Sequence, residues 1–481
     1  MQTIFWHDYE TFGANPQKDR PSQFAGIRTD LDLNIVDESI TLYCRPTEDF
    51  LPSPDACLIT GITPQKALSE GVVEAEFCRR IHGIFSKPDT CVAGYNSIRF
   101  DDEVTRNLFY RNFYDPYERE WKNGNSRWDL IDVVRLTYAL KPEGIIWPVG
   151  ADGQVSFRLE MLTKANGIEH LAAHDAMSDV YATIELARLI KRVHPKLYDY
   201  AFKLRDKNNV LSCLDVSSHK PVLHVSSKFP AALGCCALVA PLFQHPKNKN
   251  AYIAFDLRQD PRQLSDLGVD EIQRRLYTPA VELTGSEARP ALKALHVNKC
   301  AMVAPASMLR TISPERLATW QLDEAQMRLH LGYLRENPDL IERLKLVFDQ
   351  DYQADETADP DLMIYSGGFF SASDKKEMAK VRGAKSFELS ELEFIFQDKR
   401  LPEMLLRYKA RNFPETLTEE ERESWESFRA MRLMTPESNF LNVERFMARI
   451  VALSEGENLS SQGRDILIEL QYYAESVLPY S

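Results

Sequence analysis

The chain has 481 residues, of which 44% are hydrophobic and 27% are charged, and its formal net charge at pH 7 is −13. This length and composition predict a globular protein of two to four domains. The excess of acids argues against a passive coat on duplex DNA, which would need a basic surface, but not against an enzyme that meets phosphates through metal ions. No apolar run reaches about 18 residues, so we expect no transmembrane helix and no membrane association.

The cysteines predict a reducing environment. Eight are scattered along the chain, Cys235 and Cys236 form the only close pair, and no C-x-x-C spacing occurs. This pattern argues against a zinc ribbon and favours free thiols in a cytoplasmic protein. Acids follow the short apolar run at the N-terminus at once, so we interpret that run as a strand and not as a signal peptide.

The first predicted element, residues 4–13, is an apolar strand that ends in two acids one residue apart. Residues i and i+2 of a strand lie on the same face, so Asp8 and Glu10 should point the same way. Two like charges at this spacing repel unless a cation lies between them, and carboxylate oxygens suit Mg²⁺ or Mn²⁺. The alternative is a solvent-facing strand with two incidental acids.

The next hundred residues predict a mixed α/β domain. Strand patterns at 23–29 and 39–44, separated by Asp-rich turns, indicate a meander. Thr63 precedes a proline and is a good helix N-cap. A helical pattern covers 74–85, and a buried strand covers 90–95. Strands followed by alternating helices and strands are typical of this fold class.

Two acids, Asp101 and Asp102, open the helix that follows this strand. Acids in a first turn interact favourably with the helix dipole, which would be a purely structural role. The functional alternative is that Asp101 faces the end of the first strand and joins Asp8 and Glu10 in a metal site. The pattern alone leaves both readings open.

Basic residues alternate with aromatic residues between positions 105 and 150. Proteins hold single-stranded nucleic acid in this way, because aromatic rings stack on nucleobases and guanidinium groups bind phosphates. We expect Tyr117 and Trp121 to be exposed stackers, and Phe109, Phe113 and Trp128 to belong to the core. The basic and aromatic residues of this stretch are Arg106, Arg111, Tyr114, Tyr117, Trp121, Arg127, Trp128 and Arg135.

A final cluster lies between residues 156 and 190. Residues 156–162 open a helix that Asn166 and Gly167 end, and an amphipathic helix follows after residue 175. His174 lies just before that helix and Asp179 about one turn inside it, so both could reach one cavity. The chain then offers four acids and one histidine: Asp8, Glu10, Asp101, Asp179 and His174.

Three motifs together resemble those of the DEDDh exonuclease family: D-x-E at residues 8–10, the Phe-Asp pair ending at Asp101, and H-x-x-x-x-D at 174–179. The stretches 7–13, 112–117 and 156–160 resemble the bacterial exonuclease I (exodeoxyribonuclease I) branch of that family, and this resemblance covers the whole chain. It implies an α/β multidomain protein with an RNase H-like exonuclease domain, an SH3-like barrel domain and a C-terminal helical domain.

Residue types and resemblance together suggest the chemistry. Asp8, Glu10, Asp101 and Asp179 would hold two Mg²⁺ ions, with Mn²⁺ as an alternative, and two such ions can promote phosphodiester hydrolysis. His174 would accept the proton of the attacking water, since its usual pKa suits a base near neutrality. We rank Asp102 and Asp175 below these acids, as helix-start residues. The expected substrate-binding residues are Glu10, Arg158, Arg106, Tyr117, Trp121, Arg135, Lys207, Asn250 and Lys299.

We predict four segments: an RNase H-like exonuclease domain at 1–194, an SH3-like domain at 195–348, an acidic linker at 349–361 and a helical domain at 362–481. Short strands at 221–226, 237–242, 251–257 and 292–300 support the second. In the helical domain, Arg407, Lys409 and Arg411 could serve DNA or the acidic tail of single-strand-binding protein; the alternative is a solvated helix face. The resemblance implies that the last two domains close a clamp around one strand.

The expected function is 3′-to-5′ degradation of single-stranded DNA, processively, to 5′-mononucleotides, in DNA repair and recombination. We expect a cytoplasmic monomer, with single-strand-binding protein as a partner, and the polarity follows from the resemblance alone. One rival is another DEDDh nuclease that trims RNA or proofreads, but those proteins resemble mainly the first 190 residues. The other is an inactive single-strand-binding protein, against which the intact set of acids argues.

Overall fold

The structure is a computed structural model. It describes residues 2–170, 175–285, 287–349, 359–436, 438–456 and 459–479. His174 and most of the predicted acidic linker therefore lie outside the described residues.

The chain divides into two compact units, each of which is discontinuous in sequence. The first contains residues 1–126, 170–181 and 354–481, and the second contains 127–169 and 182–353. The first unit therefore combines the N-terminal strands with the C-terminal helices. This division by contacts crosses the contiguous boundaries that we expect from the sequence, and those boundaries stay a prediction.

Four strands of the first unit form its sheet: β1 (Thr3–Thr11), β2 (Pro21–Thr29), β3 (Ile40–Tyr43) and β4 (Thr90–Gly94). They lie in the order β3-β2-β1-β4, antiparallel through the first three and parallel between β1 and β4. The predicted meander is confirmed. The strand with the two acids lies inside the sheet, between β2 and β4.

Apolar packing on both faces explains why β1 is central. Phe5 stacks on Phe24 of β2 at a ring separation of 6.3 Å and meets Phe85 edge to face at 5.9 Å. Gly26 of β2 is required there, because a Cβ at this position would lie 2.5 Å from the ring of Phe5. A strand buried on both faces needs such a nearly continuous apolar sequence.

The helices of the N-terminal part follow the sequence patterns closely. Thr63 caps the second of them as predicted, because its hydroxyl accepts from the backbone N–H of Lys66 at 3.2 Å. The pattern at 74–85 is confirmed as the third helix, and the fourth begins at Asp101. The four helices are α1 (Pro54–Thr60), α2 (Pro64–Glu70), α3 (Glu74–Phe85) and α4 (Asp101–Arg111).

A short fifth strand, β5 (Ser126–Asp129), follows and was not predicted, since its residues suggested a nucleic-acid-binding stretch. Phe109, Phe113 and Trp128 are all fully buried, as expected. The helices after β5 are α5 (Leu130–Leu140), α6 (Leu159–Ala165), α7 (Ala176–Val193), α8 (Pro195–Lys203) and α9 (Lys207–Cys213).

The second unit contains an antiparallel five-stranded sheet in the order β10-β6-β7-β8-β9. The sequence predicted four of these strands and missed the short β10, which has only four residues. The strands are β6 (Val222–Val225), β7 (Cys236–Gln244), β8 (Ala251–Asp256), β9 (Leu292–His296) and β10 (Met302–Pro305). The helices between β8 and the end of this unit are α10 (Val269–Tyr277), α11 (Pro314–Thr319), α12 (Glu324–Glu336) and α13 (Pro338–Val347).

The remaining helices belong to the first unit and complete its core. Phe12 and Phe50 from the N-terminal part share one hydrophobic cluster with Phe446 and Leu470 from the last two helices. The N-terminal and C-terminal parts therefore form one folded body. These helices are α14 (Ala372–Gly383), α15 (Ser386–Glu391), α16 (Arg400–Asn412), α17 (Glu419–Met434), α18 (Val443–Ser454) and α19 (Ser461–Ser476).

A buried ionic network also joins the two parts of this unit. Asp49, which is fully buried, contacts Arg411 at 2.9 Å, Arg432 at 3.4 Å and Arg20 at 3.8 Å. Arg411 also reaches Asp361 at 2.6 Å. We define the network by eight residues: Arg20, Asp49, Glu74, Arg111, Asp361, Arg407, Arg411 and Arg432.

The arginines of the network keep its acids ionised despite their burial. The guanidinium groups of Arg411, Arg432 and Arg20 outweigh the cost of burial and hold the pKa of Asp49 well below its usual range. At Glu74, burial is again outweighed, by Arg111 and Arg20, and the pKa falls to about 2. Every carboxylate here therefore has a fixed counter-charge within the chain.

This network corrects one expectation for the C-terminal helices. Arg407 and Arg411 are 4% and 2% exposed in their side chains, and both are paired with Asp361. Lys409 is likewise buried, and its ammonium group pairs with Glu421 at 2.7 Å. These three bases are thus interior ion-pair partners, and neither the DNA-binding nor the solvated-face interpretation holds for them.

Two general features bear on the site. Among the residues that the structure describes, no helix combines the length and the apolar character needed to cross a membrane. All eight cysteines lie in the described ranges, where they form no disulfide, and seven of them are buried.

Candidate metal centre

Three carboxylates converge at one edge of the first unit. Asp8, Glu10 and Asp179 each offer an oxygen atom, and these three atoms lie within 4.8 Å of one another. Strand β1 presents the first two on one face, and the first turn of α7 presents the third. The donor set consists only of carboxylate oxygens, which is the set that hard divalent cations prefer. The residues therefore fit a divalent metal.

Asp101 is held beside this group from the first turn of α4. Its Oδ1 accepts a hydrogen bond of 3.0 Å from the backbone N–H of Tyr9, the residue between Asp8 and Glu10. The hydroxyl of Thr105 bonds to the carbonyl of Asp101 at 2.8 Å and to the Tyr9 hydroxyl at 3.1 Å. Helix α4 is thus fixed against β1, with Asp101 3% exposed.

Electrostatics at this edge differ from those of an ordinary surface. Burial raises the pKa of Asp8 well above its usual range, and the nearby charges of Asp101 and Glu10 raise it further. Burial, followed by the charge of Asp179, raises the pKa of Glu10 to about 8. The charges that perturb these two groups all belong to other carboxylates, and no ion pair with a base is found for either group among the described residues. The incidental-acid alternative does not fit this arrangement.

One histidine at the site was missed by the sequence reasoning. Nε2 of His170 lies 2.5 Å from Oδ1 of Asp179, and the two side chains are 7% and 19% exposed. His170 precedes the predicted base His174 by four residues in the sequence. The residue type was visible, but its spacing to Asp179 matches no motif that we considered.

The N-terminus of α7 is attached to the sheet by a buried amide. The side chain of Gln23 accepts from the backbone N–H of Ala176 at 3.4 Å and donates to the hydroxyl of Tyr43 at 2.9 Å. Gln23 is also the ladder partner of Glu10. The same residue therefore links the strand of Glu10 to the helix of Asp179.

The two acids that we ranked lower have different surroundings. Asp175 is exposed, as expected for a helix-start residue. Asp102 begins α4 but is 1% exposed and forms an ion pair of 2.5 Å with the buried Arg119. The fifth predicted member of the site, His174, lies outside the described residues.

The predicted substrate-binding residues fall into two groups. Arg158 caps α6 and is exposed, and no side-chain partner is found for it in the described part of the chain. Trp121 is 65% exposed, as predicted for a stacking ring. Tyr117 is only partly exposed, because its ring lies between the guanidinium of Arg106 at 5.3 Å and the ring of Phe369 at 6.2 Å.

The two other predicted arginines are engaged internally. Arg106 is 5% exposed and pairs with Glu103 and Glu120, each at 2.7 Å. Arg135 is 9% exposed and pairs with Asp132 at 2.7 Å. Both guanidinium groups are thus buried and paired within the chain, and their expected role in substrate binding stays a prediction that such pairing does not favour.

The remaining three predicted residues lie in the second unit. Lys207, at the start of α9, and Lys299 are exposed. Asn250 is half-buried just before β8, where its backbone N–H donates to Asn248 and its carbonyl accepts from Val297. Their positions are compatible with substrate contact, and their role stays a prediction.

Comparison with known families assigns nearly the whole chain. A family described as "Exonuclease" matches residues 5–187. An "Exonuclease I SH3-like domain" matches residues 205–350, and an "Exonuclease I C-terminal domain" matches 358–477. The fold is therefore the expected combination of an RNase H-like exonuclease domain, an SH3-like domain and a helical C-terminal domain.

Similarity to individual proteins, in sequence and in structure, supports this assignment. The chain is 48% identical over 437 residues to exodeoxyribonuclease I of Escherichia coli K12, which covers 91% of each protein. A structure of a moderately thermophilic exonuclease I from Methylocaldum szegediense superimposes with a TM-score of 0.94 at 47% identity, over 99% of this chain and 100% of that one.

A third relative was solved with metal and nucleic acid. The zinc-bound form of the Escherichia coli exonuclease I complex with single-stranded DNA superimposes with a TM-score of 0.93 at 44% identity. The match covers 99% of each chain.

Proposed function

The chain belongs to the exodeoxyribonuclease I family, and from this premise we propose that the four acids Asp8, Glu10, Asp101 and Asp179, together called the carboxylate edge, form the catalytic centre of its hydrolytic activity. The protein is an exonuclease that acts on single-stranded DNA and depends on divalent metal. The observation that carries our assignment of the centre is the convergence of Asp8, Glu10 and Asp179 within 4.8 Å, with raised pKa values at Asp8 and Glu10.

In this proposal the four acids hold the cation or cations, which we take to be two Mg²⁺ ions. Divalent ions at such a site lower the barrier by activating water and by stabilising the charge on attacking and leaving oxygens. Asp8 and Glu10 contribute oxygens from one strand face, and Asp101 and Asp179 from the first turns of two helices. Since the two helices are hydrogen-bonded to β1 and β2, the helix starts that carry Asp101 and Asp179 are positioned before substrate arrives.

His174 is the general base of the proposal. By sequence it lies five residues before Asp179, at the histidine position of the H-x-x-x-x-D motif. An imidazole accepts a proton readily near neutral pH, which the crowded, mutually repelling carboxylates cannot do while they bind metal.

Substrate binding is assigned to exposed groups. The guanidinium of Arg158 can bind a phosphate in a bidentate manner, and the exposed ring of Trp121 offers a stacking surface for a base. We further propose removal of 5′-mononucleotides from the 3′ end, in a processive manner. The extra domains, which match the exonuclease I family and not the shorter DEDDh enzymes, support single-stranded DNA over RNA as the substrate.

We also propose that the protein acts as a cytoplasmic monomer, in DNA repair and recombination, together with single-strand-binding protein. The absence of disulfides among the eight cysteines agrees with a reducing compartment. The basic helix α16 no longer supports contact with an acidic tail, because its bases are paired internally. Any such partner surface therefore lies elsewhere.

The deciding experiment follows release of nucleotides from single-stranded DNA that is labelled separately at each end. With Mg²⁺ we expect mononucleotides from the 3′ end, no activity in EDTA, and slower attack on duplex DNA and RNA. His174→Ala should slow turnover by about 10²–10⁴-fold while leaving affinity for DNA near that of the wild type.

Three results would contradict the proposal. Release from the 5′ end would refute the polarity, and RNA as the preferred substrate would favour the other DEDDh nucleases. Binding without hydrolysis under any divalent ion would favour the inactive single-strand-binding alternative. Unchanged turnover in His174→Ala would remove that residue as the base without affecting the metal assignment.

A further inference from the structure

His170 lies outside the predicted site, and its side chain touches a carboxylate of that site. Its imidazole Nε2 lies 2.5 Å from Oδ1 of Asp179, and its side chain is 7% exposed. A carboxylate that binds metal is ionised and can only accept hydrogen bonds, so in the metal-binding form the Nε2–H group is the donor. Neither the sequence motifs nor the family comparison gives this histidine a role.

The contact acts directly on a carboxylate of the proposed metal site. Asp179 projects from the first turn of α7, where the helix backbone is fixed through Ala176 and Gln23. That attachment places the helix backbone, and the bond from His170 acts on the carboxylate itself by restricting the torsions of the Asp179 side chain.

We propose that His170 is a positioning residue that orients Asp179 for metal binding by the carboxylate edge. The inference rests on the proposed function of that edge and adds a residue that acts on the metal through Asp179. Outer partners of this type orient the carboxylates that bind metals in other proteins, and losing one costs about 10–100-fold in metal affinity or activity.

This role is distinct from the one proposed for His174. A base acts on water during turnover and contributes little to metal affinity in the resting enzyme. A residue that orients a ligand acts before substrate is present. Metal binding measured without DNA therefore separates the two histidines.

The test measures Mn²⁺ binding to the DNA-free, full-length protein by calorimetry and by electron paramagnetic resonance. We expect His170→Ala to weaken Mn²⁺ binding by about 10–100-fold. His170→Gln places an amide N–H near the position of Nε2 and should restore affinity to within a few-fold of the wild type. The Mg²⁺ concentration that gives half-maximal nucleotide release should rise in parallel.

Matched controls guard against a general effect of losing a histidine. His82 lies on α3 of the same unit, and its side chain is hydrogen-bonded to Ser86, four residues further along the chain, at 3.3 Å. Because this bond does not involve a carboxylate of the site, His82→Gln should leave Mn²⁺ affinity unchanged. His174→Ala should also leave it within a few-fold, while slowing turnover. Thermal unfolding in EDTA establishes that each variant is folded before the comparison is made.

Two outcomes would overturn the inference. Wild-type Mn²⁺ affinity in a folded His170→Ala protein would show that the contact has no role in orienting Asp179. Tighter binding would show that His170 competes with the metal for Asp179. A wild-type protein that binds no Mn²⁺ and hydrolyses no DNA would instead refute the proposed function, so the two failures are distinguishable.

Discussion

Two groups of acids in the same folded unit, one partly buried and one fully buried, have opposite electrostatic properties. At the carboxylate edge, burial and neighbouring acids raise the pKa of Asp8 well above its usual range and that of Glu10 to about 8. In the ionic network, arginines lower the pKa of Asp49 strongly and that of Glu74 to about 2. Asp49 and Glu74 are fully buried whereas Asp8 is only partly buried, so burial cannot explain why the pKa is lowered in the network and raised at the edge. The charges of the neighbours set the direction.

The comparison distinguishes acids that stabilise the fold from acids that serve a ligand. The network has its counter-charges built into the chain, in Arg411, Arg432 and Arg20. The carboxylate edge has like charges as neighbours, so it is stabilised only when cations or protons arrive. A cluster of this kind is costly to the apo protein and is retained where the cost serves a function.

The largest expected effect is a substitution at the carboxylate edge that abolishes nuclease activity while increasing stability. We expect Asp8→Asn to reduce nucleotide release to background, because a metal ligand is lost. The free energy of unfolding in EDTA at pH 7 should rise by about 1 kcal/mol or more, since a charge disfavoured in the folded state is removed. The nuclease assay measures nucleotide release, and denaturant unfolding measures the free energy of unfolding. A less stable Asp8→Asn variant would show that the charge of Asp8 does not destabilise the folded protein.

The same chemical change in the network should have the opposite sign. Asp49→Asn leaves three buried guanidinium groups without their shared partner, and removing one member of a buried pair costs about 3–5 kcal/mol. We expect this loss in denaturant unfolding at pH 7. A loss smaller than about 1 kcal/mol would mean that the other acids of the network, Glu74 and Asp361, compensate those arginines without Asp49.

Acid pH should weaken the network through Glu74. Its pKa in the folded protein is about 2, below the value of about 4.3 in an unfolded chain, so its contribution is present above that value. The contribution is lost as the pH falls from about 4 to about 2, and amounts to about 3 kcal/mol. Glu74→Gln should flatten the dependence of unfolding free energy on pH in this window. An unchanged slope would remove Glu74 as its source.

The smallest expected effect concerns DNA binding. Trp121 is exposed, whereas the ring of Tyr117 is in contact with the guanidinium of Arg106. Trp121→Ala should weaken binding of single-stranded DNA by about 1–3 kcal/mol without changing unfolding. Fluorescence anisotropy with a labelled oligonucleotide in EDTA measures this loss. Equal affinity in the variant and the wild type would show that exposure alone does not identify the stacking ring.

The parts of the molecule that could be predicted from sequence have local causes. The alternation that places Asp8 and Glu10 on one face is a property of a single strand, and the helix at 74–85 follows from its own apolar spacing. The grouping of Asp179 with these acids needed motif spacing as well, because the residues lie about 170 positions apart. The short strands β5 and β10 have too few residues for a clear pattern.

Features that depend on distant partners were missed or misread. A run of bases such as that around Arg411 resembles a solvated or DNA-binding surface until its partner Asp49, 362 positions away, is known. The pairing of Arg106 with Glu120 and the contact of His170 with Asp179 are likewise invisible to periodicity. Tertiary contacts, and not local preference, decide whether a charged side chain is exposed.

The joining of both chain ends in one unit has a consequence for biosynthesis. Asp49 leaves the ribosome 362 residues before Arg411, which corresponds to roughly 20–70 s at about 5–20 residues per second. During that interval the β1 sheet lacks the helices that cover Phe12 and Phe50. The cluster of Phe12 and Phe50 and the network around Asp49 are therefore completed only after the second unit has emerged, whereas Phe5, Tyr9 and Phe24 pack within the N-terminal part alone.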